Sequence, residues 1–332
     1  MLYAGSDDGL YRVPGVGSDT DGSAERVFAA ERVFAAERVF RLRQFAGLEG
    51  LFAATEGGLY HTTDGEDWTA VPHPRERVFA VAADPAGEQL YTGTKPAEVY
   101  AADLDGSGPS RASDWTERPG LRELGDRLDW GLERHDGLAQ VRSLCVHPAA
   151  PDRLAAGVEV GGVHVSEDAG QTWTTRRIEG FEAPHTDDIH HLAMPAADTL
   201  VAATGSGLFH SADAGRSWER LDRGHPQRYF RESLAHDGRL YAGAAPGSST
   251  SWEQDPNHAL FEAPLGEPLE RVDSPVPDEH PIGWSVVAGS PVTATHQGTL
   301  LSPGTDGWRT VGAVPTPGRV RGRYLPLTWF ED

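Results

Sequence analysis

Basic charge is scarce in this chain: 29 Lys plus Arg stand against 50 Asp plus Glu, a net charge of −21 over 332 residues. Lysine is almost absent, Lys95 being the one copy. So acidic a surface excludes general nucleic-acid binding, which needs basic residues against phosphates. Cysteine is equally scarce. Cys145 stands alone, so no internal disulfide can form. Its setting, Val141-Arg142-Ser143-Leu144-Cys145-Val146, reads as a buried strand holding a packed thiol rather than a nucleophile. No apolar run approaches the roughly 20 residues that span a bilayer. The start, Met1-Leu2-Tyr3-Ala4-Gly5, has neither the basic nor the apolar region of a signal peptide. The expectation is a cytoplasmic protein without membrane contact. A Gly-rich phosphate loop and a G-x-S-x-G elbow are also missing; Gly205-Ser206-Gly207 reads as a plain turn. Helical periodicity is absent over most of the length.

What is present is repetition. Ser166-Glu167-Asp168-Ala169-Gly170-Gln171-Thr172-Trp173 recurs as Ser211-Ala212-Asp213-Ala214-Gly215-Arg216-Ser217-Trp218. Each copy follows a glycine and a short apolar run and precedes a polar–apolar alternation, so each reads as strand, tight turn, strand. In such a turn the Asp accepts backbone N–H groups, the Gly supplies a positive φ, and the Trp packs between neighbouring units. The pattern S-x-D-x-G-x-[ST]-W resembles the Asp-box (BNR) repeat of sialidase-like and related β-propellers. On that resemblance Ser166, Asp168, Gly170, Trp173, Ser211, Asp213, Gly215 and Trp218 are structural turn residues. It speaks for a fold and says little about activity. The acidic, lysine-poor composition in turn resembles that of proteins from halophilic archaea. At molar salt the screening length is about 3 Å, so such a surface barely repels itself.

With the box at each third-to-fourth-strand turn, the chain divides into four-stranded units A to D. Their approximate bounds are 1–36 plus 319–327, 37–72, 76–118, 139–178, 187–222, 228–273 and 282–313. The first unit lacks an A strand, and Arg319-Val320-Arg321-Gly322-Arg323-Tyr324-Leu325 near the end looks like one. The fold expected is therefore all-β, a seven-bladed propeller of antiparallel blades closed by the C-terminal strand in the N-terminal blade. Glu-Arg-Val-Phe-Ala-Ala occurs twice between Glu25 and Ala36, followed by Glu37-Arg38-Val39-Phe40. A strand and a short helix both suit that stretch.

The D-to-A loops, opposite the boxes, carry the chemistry. An insertion before the fourth unit holds Asp126, Asp129, Trp130, Glu133, Arg134, His135 and Asp136. A long loop in the sixth unit, Pro246 to His258, carries Trp252. Aligning the A strands by apolar alternation puts Phe40, Phe79, Arg142, His190, Arg231, Trp284 and Arg321 in one column facing the axis. Arg142, His190, Arg231 and Arg321, with Trp284 and Trp130 as stacking surfaces, are the ligand-binding candidates for an anion or an acidic sugar. The bland alternative is that the arginines pair with Asp188 and Glu232 along a wet channel.

Sialidases use three arginines with a Tyr/Glu pair, and Glu232, Tyr324 and Asp188 are the corresponding catalytic candidates. The family's Arg-Ile-Pro motif is absent, however, and sialidases have six blades. Asp187 and Asp136 are candidates for a glycosidase carboxylate pair. His185, His190, His191, His225 and His280 are candidates for a divalent-metal site, with no compact motif among them; no other cofactor is implied. The leading reading is a non-enzymatic binding or assembly propeller, similar to the photosystem II assembly factors, with a protein, an anionic small molecule or a carbohydrate as partner. The alternative is a glycoside hydrolase or lyase acting on an acidic carbohydrate.

Overall fold

A computed structural model describes residues 1–16, 28–29, 31–104, 108–130 and 137–331. They form seven antiparallel blades around a central axis. Blade 2 is representative: Val39–Arg43 is the innermost strand, followed outward by Leu51–Thr55, Gly58–Thr62 and Thr69–Val71. The innermost strands of blades 3 to 7 are Val78–Ala83, Gln140–His147, Ile189–Ala196, Tyr229–His236 and Pro281–Val287. Alternating apolar residues give each blade two covered faces, and seven apolar clusters fill the spaces between neighbours.

The C-terminus closes the ring, as expected, but with a different segment. Leu327–Trp329 pairs antiparallel with Leu2–Ser6 in the register Leu2↔Trp329, Tyr3↔Thr328 and Ala4↔Leu327. Residues 319–325, expected to be this strand, form turns instead. Their Arg-x-Arg-x-Arg alternation imitates a strand, yet Gly322 sits at φ 74° and Arg323 is folded inward. Its guanidinium donates to the carbonyls of His296 (2.6 Å) and Thr316 (3.1 Å), which pins the segment as a loop.

The Arg-Val-Phe repeats have three destinations. Phe28–Ala29 adds a parallel fifth strand to the edge of blade 7, beside Gly307–Ala313. Glu31–Ala35 is the outer strand of blade 1, and Val39–Arg43 opens blade 2. The duplication therefore stitches blades 7, 1 and 2 together, and its second copy is strand, not helix. Residues 25–27 and 30 lie outside the described residues.

Both full boxes build the same turn. Ser166 Oγ donates to Asp168 Oδ1 (2.8 Å) and accepts the Gly170 N–H (2.8 Å). Asp168 then accepts the Thr172 N–H (2.8 Å) and hydroxyl (2.6 Å). Ser211, Asp213, Gly215 and Ser217 repeat every bond within a tenth of an ångström. The shortened blade 2 box, Thr62 to Trp68, keeps the scheme with Thr62 Oγ1 and Asp64 in the two roles. Trp68, Trp173 and Trp218 pack into the clusters between blades 1–2, 3–4 and 4–5.

One helix, Pro119–Leu128, leads out of blade 3 where only a loop insertion was expected. Its Pro sits in the first turn, where no N–H partner is lost, and it buries Leu121 and Leu124. No helix among the described residues is long and apolar enough to cross a membrane.

Candidate functional site

The inner strands of blades 2 to 7 are interrupted near their starts, blade 3 between Val78 and Ala80. Pairing slips between Val39 and Arg41, Val141 and Ser143, Ile189 and His191, Phe230 and Ser233, and Pro281 and Gly283. Such a bulge frees a residue from the ladder and re-aims its side chain. Phe40, Arg142 and Arg231, all at bulges, line a cavity of 510 Å³ on the axis, on the side of the loops that join blades. Phe79 and Arg321 reach the same cavity, so five of the seven aligned residues meet there.

Phe40, Phe79 and Tyr324 with the guanidiniums of Arg142 and Arg231 form one part of its wall. The guanidinium carbons of Arg142 and Arg231 each lie 4.7 Å from the Tyr324 ring centroid. Tyr324 meets Phe40 edge-on at 5.1 Å, and Phe40 stacks on Phe79 at 3.9 Å. Arg142 donates to Glu159 Oε2 at 2.6 Å, and Gln140 donates to the same oxygen. Arg231 donates to the Arg323 carbonyl at 3.0 Å. Arg321 is exposed, and among the described residues it has no ion-pair partner. Gly322 N–H donates to Ser249 Oγ (2.9 Å), tying the closing segment to the blade 6 loop that overhangs the cavity.

Charge is the salient property. Arg38, Arg77, Lys95, Arg142, Arg231 and Arg321 face three carboxylates, Glu56, Glu159 and Asp188. A chain of net charge −21 has thus collected an excess of positive groups around one hole. Burial alone would raise the Asp188 carboxyl, but His190 and Arg142 outweigh it and hold it below its ordinary range. Asp188 is ionised at neutral pH.

Below the cavity a buried polar layer closes the axis. Arg41 donates to Glu232 Oε1 (3.0 Å) and to the Arg142 carbonyl (3.3 Å), and His191 Nε2 lies 3.5 Å from the same Glu232 oxygen. Burial raises the Glu232 carboxyl, opposed by Arg41 and Arg43. Burial, helped by Arg41, lowers the His191 imidazole well below its ordinary value. Glu232 belongs to this layer and to the opposite end of the axis, whereas Tyr324 lines the cavity. The Tyr/Glu pairing of the sialidase resemblance is not assembled.

Other expected members lie elsewhere. Trp284 is buried between Tyr241 and Trp308 in the blade 6–7 interface. The blade 7 bulge comes earlier than apolar alternation suggests and falls on Ile282, which packs between blades 7 and 1. Trp130 covers His164 at the rim of blade 4, in a separate recess. Glu133, Arg134, His135 and Asp136 lie outside the described residues. The five metal-candidate histidines disperse. His185 lines the cavity, His190 bonds the Phe230 carbonyl (2.6 Å) and His191 is in the polar layer. His225 bonds the Leu269 carbonyl (3.0 Å), while His280 packs against Trp252 and His258. Among the described residues no group of three His, Cys, Asp or Glu side chains is placed to hold a metal ion.

Sequence reading missed Arg38, Arg77, Lys95, Glu56 and Glu159, although a signal existed. Arg38, Arg77, Gln140, Asp188 and Tyr229 each immediately precede the first buried apolar residue of an inner strand, and all five line the cavity. Glu56, Lys95 and Glu159 stand at the ends of the second strands, on the same rim.

Seven blades about a polar axial cavity define a β-propeller. Among solved structures the chain is similar to an ancestral GH74 enzyme, with TM-score 0.62 and 14% identity, over 84% of this chain. The chain spans only 39% of that protein. It is also similar to YCF48 bound to D1 peptide (TM-score 0.56, 15% identity, 82% of this chain and 81% of that one). The WD40 propeller domain of Doa1 is a third such structure (TM-score 0.59, 10% identity, 85% and 83%). At these identities the likeness is one of fold. No family model matches the chain, and no curated protein matches it by sequence.

Proposed function

We propose that this protein is a non-enzymatic binding propeller that seats an anionic group of its partner in the axial cavity, with Arg231, Arg321 and Arg142 as principal contacts. The carrying observation is the charge inversion: six cationic side chains against three carboxylates at one mouth of a strongly acidic chain. Arg142 is committed to Glu159, Arg38 to Asp7 and Arg77 to Glu56, so the exposed Arg321 is the cation best placed to capture a ligand, with Arg231 and Arg142 behind it. The guanidiniums of Arg142 and Arg231, both held against the Tyr324 ring, suit a flat carboxylate or an acidic side chain. A peptide-bound propeller of similar fold, matched over 82% of this chain and 81% of its own, supports a protein partner.

The test is a binding panel of acidic peptides and acidic glycans at molar salt. Arg321→Ala is expected to weaken the best ligand about tenfold, the worth of one charge-assisted bond, with unchanged melting temperature because Arg321 is exposed. Arg231→Ala should weaken it at least as much. Unchanged affinity in both variants would sink the cavity as the site. The second reading, a hydrolase or lyase acting on an acidic carbohydrate, draws on Glu159 and Asp188 sharing the cavity with those arginines. Turnover of any glycan in the same panel, abolished by Asp188→Asn, would replace the scaffold reading.

We also read the acidic surface as an adaptation to a salt-rich cytoplasm. The melting temperature should then climb between about 0.1 M and about 1 M KCl, as the Debye length shrinks from about 10 Å to about 3 Å. A flat or falling profile would remove that reading without touching the site.

A further inference from the structure

The far end of the axis has the opposite chemistry. Past the polar layer, the inner strands open on a 420 Å³ cavity on the Asp-box face. Phe45, Val146, Met194, Leu234 and Val286, one from each of five blades, form its apolar wall and are all partly exposed. His191 and Glu232, both buried and early on their strands, form its floor, and Arg43, half-buried at the last residue of Val39–Arg43, stands beside them. Blades 1, 3, 4 and 7 add no charged side chain to the lining.

The floor carries one positive charge too many. Glu232 is already engaged by Arg41 at 3.0 Å, and His191 is held neutral by burial. Arg43 has one hydrogen bond, from Nη1 to its neighbour's carbonyl on Leu42, and among the described residues it makes no ion pair. Burial and the adjacent Arg41 bring its guanidinium down to about 10, still cationic at neutral pH. A half-buried cation against an apolar wall, without an ion pair among the described residues, is stabilised when a counter-charge arrives.

We propose that this funnel is a second binding site, for a small monocarboxylate bearing an apolar tail. Arg43 receives the carboxylate in its planar fork, and the tail lies along the apolar wall. The volume falls within the range of small-ligand sites. A single negative charge balances the floor, whereas an amine adds to the surplus. The site is independent of the cavity at the other mouth.

Cys145 lines this funnel and is the chain's one thiol, so it reports occupancy. The experiment follows alkylation of Cys145 by N-ethylmaleimide at mildly alkaline pH, with octanoate, octylammonium or acetate present. Octanoate at ten times its dissociation constant should slow alkylation about tenfold, while octylammonium and acetate at the same concentration should not. Arg43→Gln should abolish the octanoate effect. Ala235→Trp fills the funnel and leaves Arg43 in place, so it should reduce the protection ratio measured within that variant. Arg321→Ala, at the other mouth, should leave protection intact. Equal protection by octanoate and octylammonium would overturn the role of Arg43. No protection by octanoate in the unmodified protein, or full protection in both funnel variants, would overturn the site.

Discussion

Deletion of residues 326–332 will leave a chain that no longer unfolds as one cooperative unit. The segment is short, yet it carries Leu327 and Phe330, both almost fully buried, and it supplies the inner strand of blade 1. Losing a buried Leu or Phe side chain costs about 2–5 kcal/mol each, and whole domains are stable by only about 5–15 kcal/mol. Deletion also strips Leu2–Ser6 of its inner partner, leaving it paired with Gly9–Val13 alone and its other edge open to association. The dock is tight on the blade 7 side as well: a Cβ on Gly283 would meet the Leu325 carbonyl oxygen at 1.7 Å. The expected outcome is loss of the sharp melting transition and a shift to larger species in size-exclusion chromatography. A synthetic peptide of residues 319–332 added in excess should restore the monomer. A truncated monomer melting like the full chain would show that inter-blade packing alone closes the ring.

The architecture was legible because one turn chemistry recurs. Two Ser-x-Asp-x-Gly turns mark where third strands end, and counting back from them locates the blades. The site was only half legible, and the reason is geometric. Apolar alternation predicts which side chains face the axis only while a strand stays in register. Bulges break that register near the start of the inner strands, and their positions leave little trace in composition. Phe40, Arg142 and Arg231 fell on the bulge by alignment, whereas Trp284 missed it by two positions and turned into the blade interface. Arg321 reaches the cavity although the strand expected to carry it is a turn. The histidines illustrate a further limit. Lying on one end of the ring does not make side chains converge, because each blade can draw its own imidazole into local packing. Helix Pro119–Leu128 went unread because ten residues with two buried leucines give a weak period against a glycine-rich background.

Glu232→Leu will cost about 3–5 kcal/mol, the usual consequence of removing one partner from a buried ion pair. It strands Arg41, which is buried, beside Arg43, with no carboxylate on the floor of the axis. Arg41→Met acts on the same pair but differs in its pH dependence. Burial already raises the Glu232 carboxyl above its ordinary value of 4.5, and Arg41 is the foremost group opposing that rise. A carboxyl raised in the folded state contributes stability that is fully present below its unfolded value and is lost as pH climbs through the folded one. Removing Arg41 raises the folded value further and enlarges that loss. Arg41→Met should therefore sit near the unmodified protein below pH 4.5 and fall progressively behind it toward neutral and alkaline pH. The double variant Arg41→Met/Glu232→Leu takes away both charges and replaces them with apolar volume. It should recover most of the loss seen in Glu232→Leu, because apolar replacement of a buried pair is close to neutral. Urea midpoints of the three variants across the acid-to-neutral range measure all of this. Additive losses in the double variant would show that Arg41 and Glu232 hold the axis separately rather than as a pair.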